Sequence, residues 1–496
     1  MFKNSLKISN FKFEIILGLI IIAYVILFSY LSIHRVYSLN SHYYDLGIMN
    51  QTVYNTSRGY FLEMTNQEFQ KNVSRLAIHF DPILIFFAPI YWLFRTPDVL
   101  LIGQTLILAT GAIAVYLIAK KLLENKPMAL LFSISYLTFF PIERANLFDF
   151  HAVVLATSFL LWMIYFSLEK KRVATLVFMI LALLTKEHVG LIIFLFGGYI
   201  FLFKKEKKFG LLVTLLGLIF FLFSFFLVIP YFRQQTHFAL KYYADFGETP
   251  TQVILGVLKK PSLILKYLLQ PESRQYLSRL FLPHLPYILF SPIEILISLP
   301  ELAINILSTN GNMRNIYFHY NSLIVPFIFF AAISGAARIK KLKLRFIVLI
   351  LFIYFSWQSI YRFTPLPLSF LKEPYKIVKL DHQKLQLISR WKNIFADGEI
   401  KISTTPKLAP FFTDRHYYYN FLYDPGFSGA KISQEKILET INKYNLADYV
   451  IIDREEIHSL NEESLMAIFY KDLVLNKLFK RIFKDNKLGI EVYKKI

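Results

Sequence analysis

Clusters of ionisable residues interrupt an otherwise apolar chain, and their types suit acid–base, phosphate or metal chemistry. They are Tyr44-Asp45, His79-Phe80-Asp81, Asp149-Phe150-His151 and Lys186-Glu187-His188. Asp45 suits a general base for an acceptor hydroxyl or a ligand for a cation; the plain alternative is an N-cap for a helix starting near Leu46. His79 suits contact with phosphate, or with a metal shared with Asp45. Asp81 before Pro82 reads as a site carboxylate or as a simple helix start. Arg144, Asp149 and His151 bracket Asn146-Leu147-Phe148. Asp149 and His151 do not share a helix face, so they converge only on irregular backbone; the plain role for Asp149 is to cap the next helix. Lys186 offers phosphate a compact cation, with Glu187 and His188 beside it in what could also be a solvated turn. His319 and Tyr320, with Arg314 before them, open a later helix and could complete a polar floor. Asp45, His79 and Asp149 are the metal candidates, for a divalent cation. Near the C-terminus, Asp414-Arg415-His416 either touches a ligand or ends a turn. No Gly-rich phosphate loop, zinc-protease pattern or serine elbow is present.

The elements that must position these groups are membrane helices. The 496 residues are 55% hydrophobic and 17% aromatic, with a mean hydropathy of +0.45, and runs such as 13–31 and 209–230 are long enough to span a bilayer. Lys and Arg gather at 3–12, 120–121, 170–172, 204–208 and 338–345, between apolar runs. Basic connections mark cytoplasmic ends, so the polar clusters fall on the opposite, outer face. The net charge of +21 is therefore read as orientation charge plus affinity for anionic headgroups, not as a nucleic-acid surface. The absence of cysteine excludes disulfides and thiolate chemistry.

The expected fold is an α-helical polytopic membrane protein with about ten to twelve transmembrane helices. Residues 1–364 form the transmembrane domain, with an outer loop at 34–98, and residues 365–496 form a soluble extracytoplasmic α/β domain. Strands are expected at 400–404 and 449–452, a helix at 432–444, and a closing hairpin from 478–483 and 489–493. The N-terminus is placed inside, and the location is the cytoplasmic (plasma) membrane.

Several segments resemble the membrane family known as domain of unknown function 2079. They are Tyr44-Asp45-Leu46-Gly47-Ile48, His79-Phe80-Asp81-Pro82-Ile83-Leu84, Asn146-Leu147-Phe148-Asp149-Phe150-His151, Leu184-Thr185-Lys186-Glu187 and His319-Tyr320. Ser403-Thr404-Thr405, Leu408-Ala409-Pro410 and Ala447-Asp448-Tyr449-Val450 add to them. Asp81 stands where that family usually carries Ser. The family in turn resembles the GT-C superfamily of glycosyltransferases, in which an acidic residue follows the first helix. That resemblance implies a polyprenyl-phosphate-linked sugar donor, an inverting transfer to an extracytoplasmic glycan, lipid or protein acceptor, Asp45 as the base, and Lys186 with Arg144 or His79 around the donor phosphate. The rival readings are a transporter or lipid flippase, whose ionisable groups sit near the bilayer midplane, and a non-catalytic membrane assembly partner.

Overall fold

The computed structural model describes residues 11–67, 71–235, 237–421, 443–458 and 465–496. Most of the helix expected over 432–444 lies outside them. Four described helices are long and apolar enough to cross a bilayer: Lys12–Tyr37, Asp98–Leu123, Lys207–Arg233 and Arg345–Phe363. Shorter apolar helices run over Ala152–Leu168, Arg172–Leu183, Val189–Phe203 and Val325–Ile339. Ile15, Leu19, Ile22 and Ile26 on the first helix and Phe346, Ile350, Ile353 and Trp357 on Arg345–Phe363 stay exposed. Such apolar stripes are a liability in water and an asset in lipid.

The chain divides into two compact units. Unit 1 comprises Met1–Ser32, Leu76–Ile83 and Leu101–Ile377; unit 2 comprises Ile33–Arg75, Leu84–Leu100 and Val378–Ile496. Unit 1 is helical around one apolar core that includes Phe132, Tyr136, Ile164, Ile193, Phe327 and Phe329. Its helices start where local chemistry dictates. Asn125 caps Lys126–Leu137 by accepting from Met128 N–H at 3.0 Å, and Pro141 opens Phe140–Phe148.

Two of these helices, Val189–Phe203 and Lys207–Phe223, approach through glycine. A Cβ on Gly197 would lie 2.3 Å from Thr214 N, and one on Gly217 would lie 2.5 Å from Phe194 N. Only glycine permits backbones this close in an apolar helix pair. The far ends of several unit 1 helices are basic and ion-paired: Lys120 and Lys126 to Glu14 at 3.2 and 3.0 Å, Lys121 to Glu169 at 2.8 Å, Lys340 to Glu124 at 3.2 Å. Acidic residues therefore also occur among the basic connections, where they neutralise part of the charge.

Unit 2 is built on a five-stranded mixed sheet. Its strands are β3 (Ile402–Thr404), β4 (Tyr418–Asn420), β5 (Tyr449–Asp453), β6 (Phe479–Lys484) and β7 (Ile490–Lys495), after a separate hairpin of β1 (Glu63–Asn66) and β2 (Lys71–Ser74). The order is β4-β3-β5-β7-β6. β3 runs parallel to β4 and β5, and β7 runs antiparallel to β5 and β6. The stretch expected as a loop of the transmembrane domain, 34–98, is shared between the units. Tyr43, Ile48 and Met64 enter the same core as Ile402, Phe412, Tyr418 and Val492. Asn50 Nδ2 donates to Thr413 Oγ1 at 2.9 Å and Gln51 Nε2 to His416 O at 3.1 Å, so buried amides fix that packing.

Candidate functional site

Glu187 and His188 lie in the turn joining Arg172–Leu183 to Val189–Phe203, at the end of these helices opposite Lys171 and Lys204. The irregular segment carrying His79 is pinned to that turn, because Ile83 N–H donates to Leu184 O at 3.0 Å. Phe80 N–H donates to Glu187 Oε2 at 3.0 Å. His79 Nδ1 is 3.1 Å from Glu187 Oε1. His237, beyond the end of Lys207–Arg233, brings Nε2 to 3.4 Å from the same oxygen. His188 reaches Glu187 Oε1 at 3.9 Å with Nδ1 and Glu301 Oε2 at 3.0 Å with Nε2. Glu301 projects from the helix Leu299–Leu307. Three separate stretches of unit 1 thus meet at one buried carboxylate, with Glu301 joined through His188; Glu187 is 3% exposed while His79 beside it is 20% exposed.

Continuing from that point, the ring of His151 stacks on His319 at 3.8 Å between centroids, and Tyr320 lies 4.3 Å from His319. His319 Nδ1 is buried with no hydrogen-bond partner among the described residues. Burial, together with the charges of His151, Lys186, His79 and His188, pushes the His319 imidazole well below its ordinary value. His319 is thus neutral. Burial alone would raise the Glu187 carboxyl, but the charge of His79 and the contacts from His188 and His237 hold it well below the usual range. Burial would lower His188, yet Glu301 and Glu187 raise it to about 9. The result is an ionised Glu187 carboxylate set among imidazoles and one lysine.

Not every residue singled out from the sequence enters this cluster. Arg144 donates from Nε to Phe363 O at 2.9 Å, pairs with Glu373 at 3.3 Å and lies over the Tyr317 ring at 4.7 Å, so its donors are committed elsewhere in unit 1. Asp149 does not cap Ala152–Leu168; it is the C-cap of Phe140–Phe148, and His151 is the residue at the N-cap position. Asp149 is extended, so the backbone between these two helices is irregular. Gln104 holds this bend, donating to Asp149 O at 3.0 Å and accepting from His151 N–H at 2.9 Å. Asp81 is buried in unit 1.

Asp45 belongs to unit 2. It lies inside a π-helical turn, Tyr43–Gly47, that runs into Ile48–Ser57 with His42 at the N-cap, so it is not the cap of that helix. Arg415 is structural: 1% exposed, it donates to the carbonyls of Phe412, Ile400 and Phe395. His416 stacks on Tyr60 at 3.7 Å.

Two members, His237 and Glu301, were missed. His237 follows the last residues of an apolar run, at the same end as Lys186-Glu187-His188, and a count of helix ends would have placed it there. Glu301 follows Pro300 in a proline-broken stretch whose course the hydrophobic pattern does not define. For a cation, one ligand atom each from His79, Glu187 and His237 lie within 4.8 Å of one another. A family model described as "Predicted membrane protein (DUF2079)" matches residues 35–467. No curated protein matches the chain.

Proposed function

Because the chain belongs to the DUF2079 family of predicted membrane proteins, we propose that this membrane protein is a glycosyltransferase of GT-C type. It moves a sugar from a polyprenyl-phosphate donor to an extracytoplasmic acceptor. The observation that carries the reading is the convergence on Glu187 of His79, His188 and His237, with Lys186 and the His151–His319 stack in the same electrostatic neighbourhood. A lipid phosphate leaving group needs cations where its negative charge develops. Lys186 and His79 supply them; the committed contacts of Arg144 leave it out of that role. Asp45 is the proposed base, taking the proton of the acceptor hydroxyl as its oxygen bonds to the anomeric carbon and the lipid phosphate departs. The basic helix ends support an outer location for the polar cluster, with the protein in the cytoplasmic membrane.

The test uses the full chain in nanodiscs with a radiolabelled polyprenyl-phosphate sugar fraction from the native membrane. Transfer of label out of the lipid fraction is expected for the parent and is expected to be lost in Asp45→Asn. Equal transfer by that variant would remove Asp45 as the base.

A further inference from the structure

The geometry points to a divalent transition-metal site, of the kind that takes Zn2+, at His79 Nδ1, Glu187 Oε1 and His237 Nε2. Bonds of about 2.0 Å at tetrahedral angles place ligand atoms roughly 3.3 Å apart. The two imidazole-to-carboxylate separations are 3.1 and 3.4 Å. The three ligand atoms all lie within 4.8 Å of one another, close enough to be drawn around one ion. His237 Nε2 is buried and makes no well-aligned hydrogen bond among the described residues, although it faces Glu187. Because Nδ1 accepts from Ala239 N–H, the neutral ring carries its proton on Nε2, and an ion bound between His237 and Glu187 would take that proton's place.

The surroundings fix these ligands. His237 stacks on Phe225 at 5.1 Å and on Phe238 at 5.0 Å, and Phe238 also packs edge-on against His79 at 5.4 Å. Glu187 Oε2 is held by Phe80 N–H, which leaves Oε1 turned toward both rings. Imidazole and carboxylate together suit zinc and its neighbours, whereas magnesium and calcium prefer all-oxygen shells. Three protein ligands leave a fourth position open, the mark of a catalytic rather than a purely structural zinc site, and His79 among them is partly exposed. Ala239 N–H donates to His237 Nδ1 at 3.1 Å. Coordination through Nε2 puts the ring proton on Nδ1, so metal loading opens that contact and loosens the turn Phe238–Tyr243.

The site does not rest on the transferase reading, although an ion there would sit where a donor phosphate is proposed to bind. The full chain, purified in detergent and stripped with chelator, is equilibrated with Zn2+ and passed through a desalting column. Metal content should return to one Zn2+ per chain. Glu187→Gln and His237→Asn should each cut occupancy roughly tenfold or more, while Lys186→Met keeps it. Co2+ loading supplies a second readout, since tetrahedral d–d absorption should appear in the parent and vanish in His79→Asn. Gel-filtration profiles establish that each variant is folded, and the histidine variants decide the matter if Glu187→Gln is not. A parent that retains no Zn2+, or folded variants that bind it as the parent does, would overturn the site. Bound zinc without sugar transfer would instead count against the transferase reading alone.

Discussion

Replacing Gly217 by alanine should destabilise the protein out of proportion to one methyl group. The added Cβ would stand 2.5 Å from Phe194 N and 2.8 Å from Gly190 O, both backbone atoms. Ordinary contact needs about 3.5 Å, so the helices Val189–Phe203 and Lys207–Phe223 must part by roughly 1 Å. No side chain can rotate away to absorb this. Overpacking of this kind costs about 1–3 kcal/mol; the rigid neighbours place Gly217→Ala at the upper end. In lipid, no hydrophobic gain offsets the lost close packing. For a chain of this size about 3 kcal/mol corresponds to a fall of several degrees in melting temperature.

Gly198→Ala, on the facing helix, is the internal control. Nothing lies within 4 Å of its Cβ, and alanine's better helix propensity should leave the melt unchanged or slightly raised. The assay is intrinsic-fluorescence melting of the full chain in detergent. The glycine pair also sets how the turn before Val189 and the residues after Arg233 are held, so Gly217→Ala should lower Zn2+ occupancy as well. If the two alanine variants melt alike, the close approach of these backbones is wrong.

Other outcomes follow from unit 2 and from the cluster. Burial, offset by Lys407, raises the Glu456 carboxyl from 4.5 to about 7. The folded state then keeps a proton that the unfolded chain has lost, so stability falls as pH rises from about 4.5 to 7, by at most about 3 kcal/mol. Glu456→Gln should abolish that fall, matching the parent at pH 4 and exceeding it at pH 8 in melting curves. Arg415→Met should destabilise unit 2 by about 3 kcal/mol, since three buried carbonyls lose their donor; limited proteolysis should cut first within Val378–Ile496. Sugar transfer should drop at least tenfold in Lys186→Met with metal content unchanged, reflecting a cation that touches the substrate and not the ion.

Much of the helical arrangement was legible because charge and apolarity alternate along the chain. Residues His79, Lys186-Glu187-His188, His151 and His319 stand out as polar interruptions at one end of successive helices, and His79, Glu187 and His188 meet. What the pattern could not convey is which interruption faces which. Asp149 is extended backbone between two helices, a break that neither helical period signals, and Asp45 sits inside a widened turn that no cap preference signals. The grouping of 33–75 with the C-terminal sheet depends on buried amide bonds such as Asn50 to Thr413, between residues more than 350 positions apart. Glu301 was hidden for a different reason: prolines at 283, 286, 292 and 300 erase the helical period that would have set its face. Gly190, Gly197, Gly210 and Gly217 resemble ordinary helix interruptions until the second helix is placed against them. The strands of the C-terminal sheet read well where they alternate or run apolar, as in β5 and β7. β4 did not, because its Tyr-Tyr-Asn carries no alternation.

The most direct measurement is of the product in cells. Surface glycans and lipid-linked sugars are compared by mass spectrometry in cells carrying the parent chain, Lys186→Met, or no copy of the gene. A glycan species present with the parent and absent from the other two, together with build-up of its polyprenyl-phosphate precursor, is the predicted result. Identical profiles in all three would contradict sugar transfer at this site.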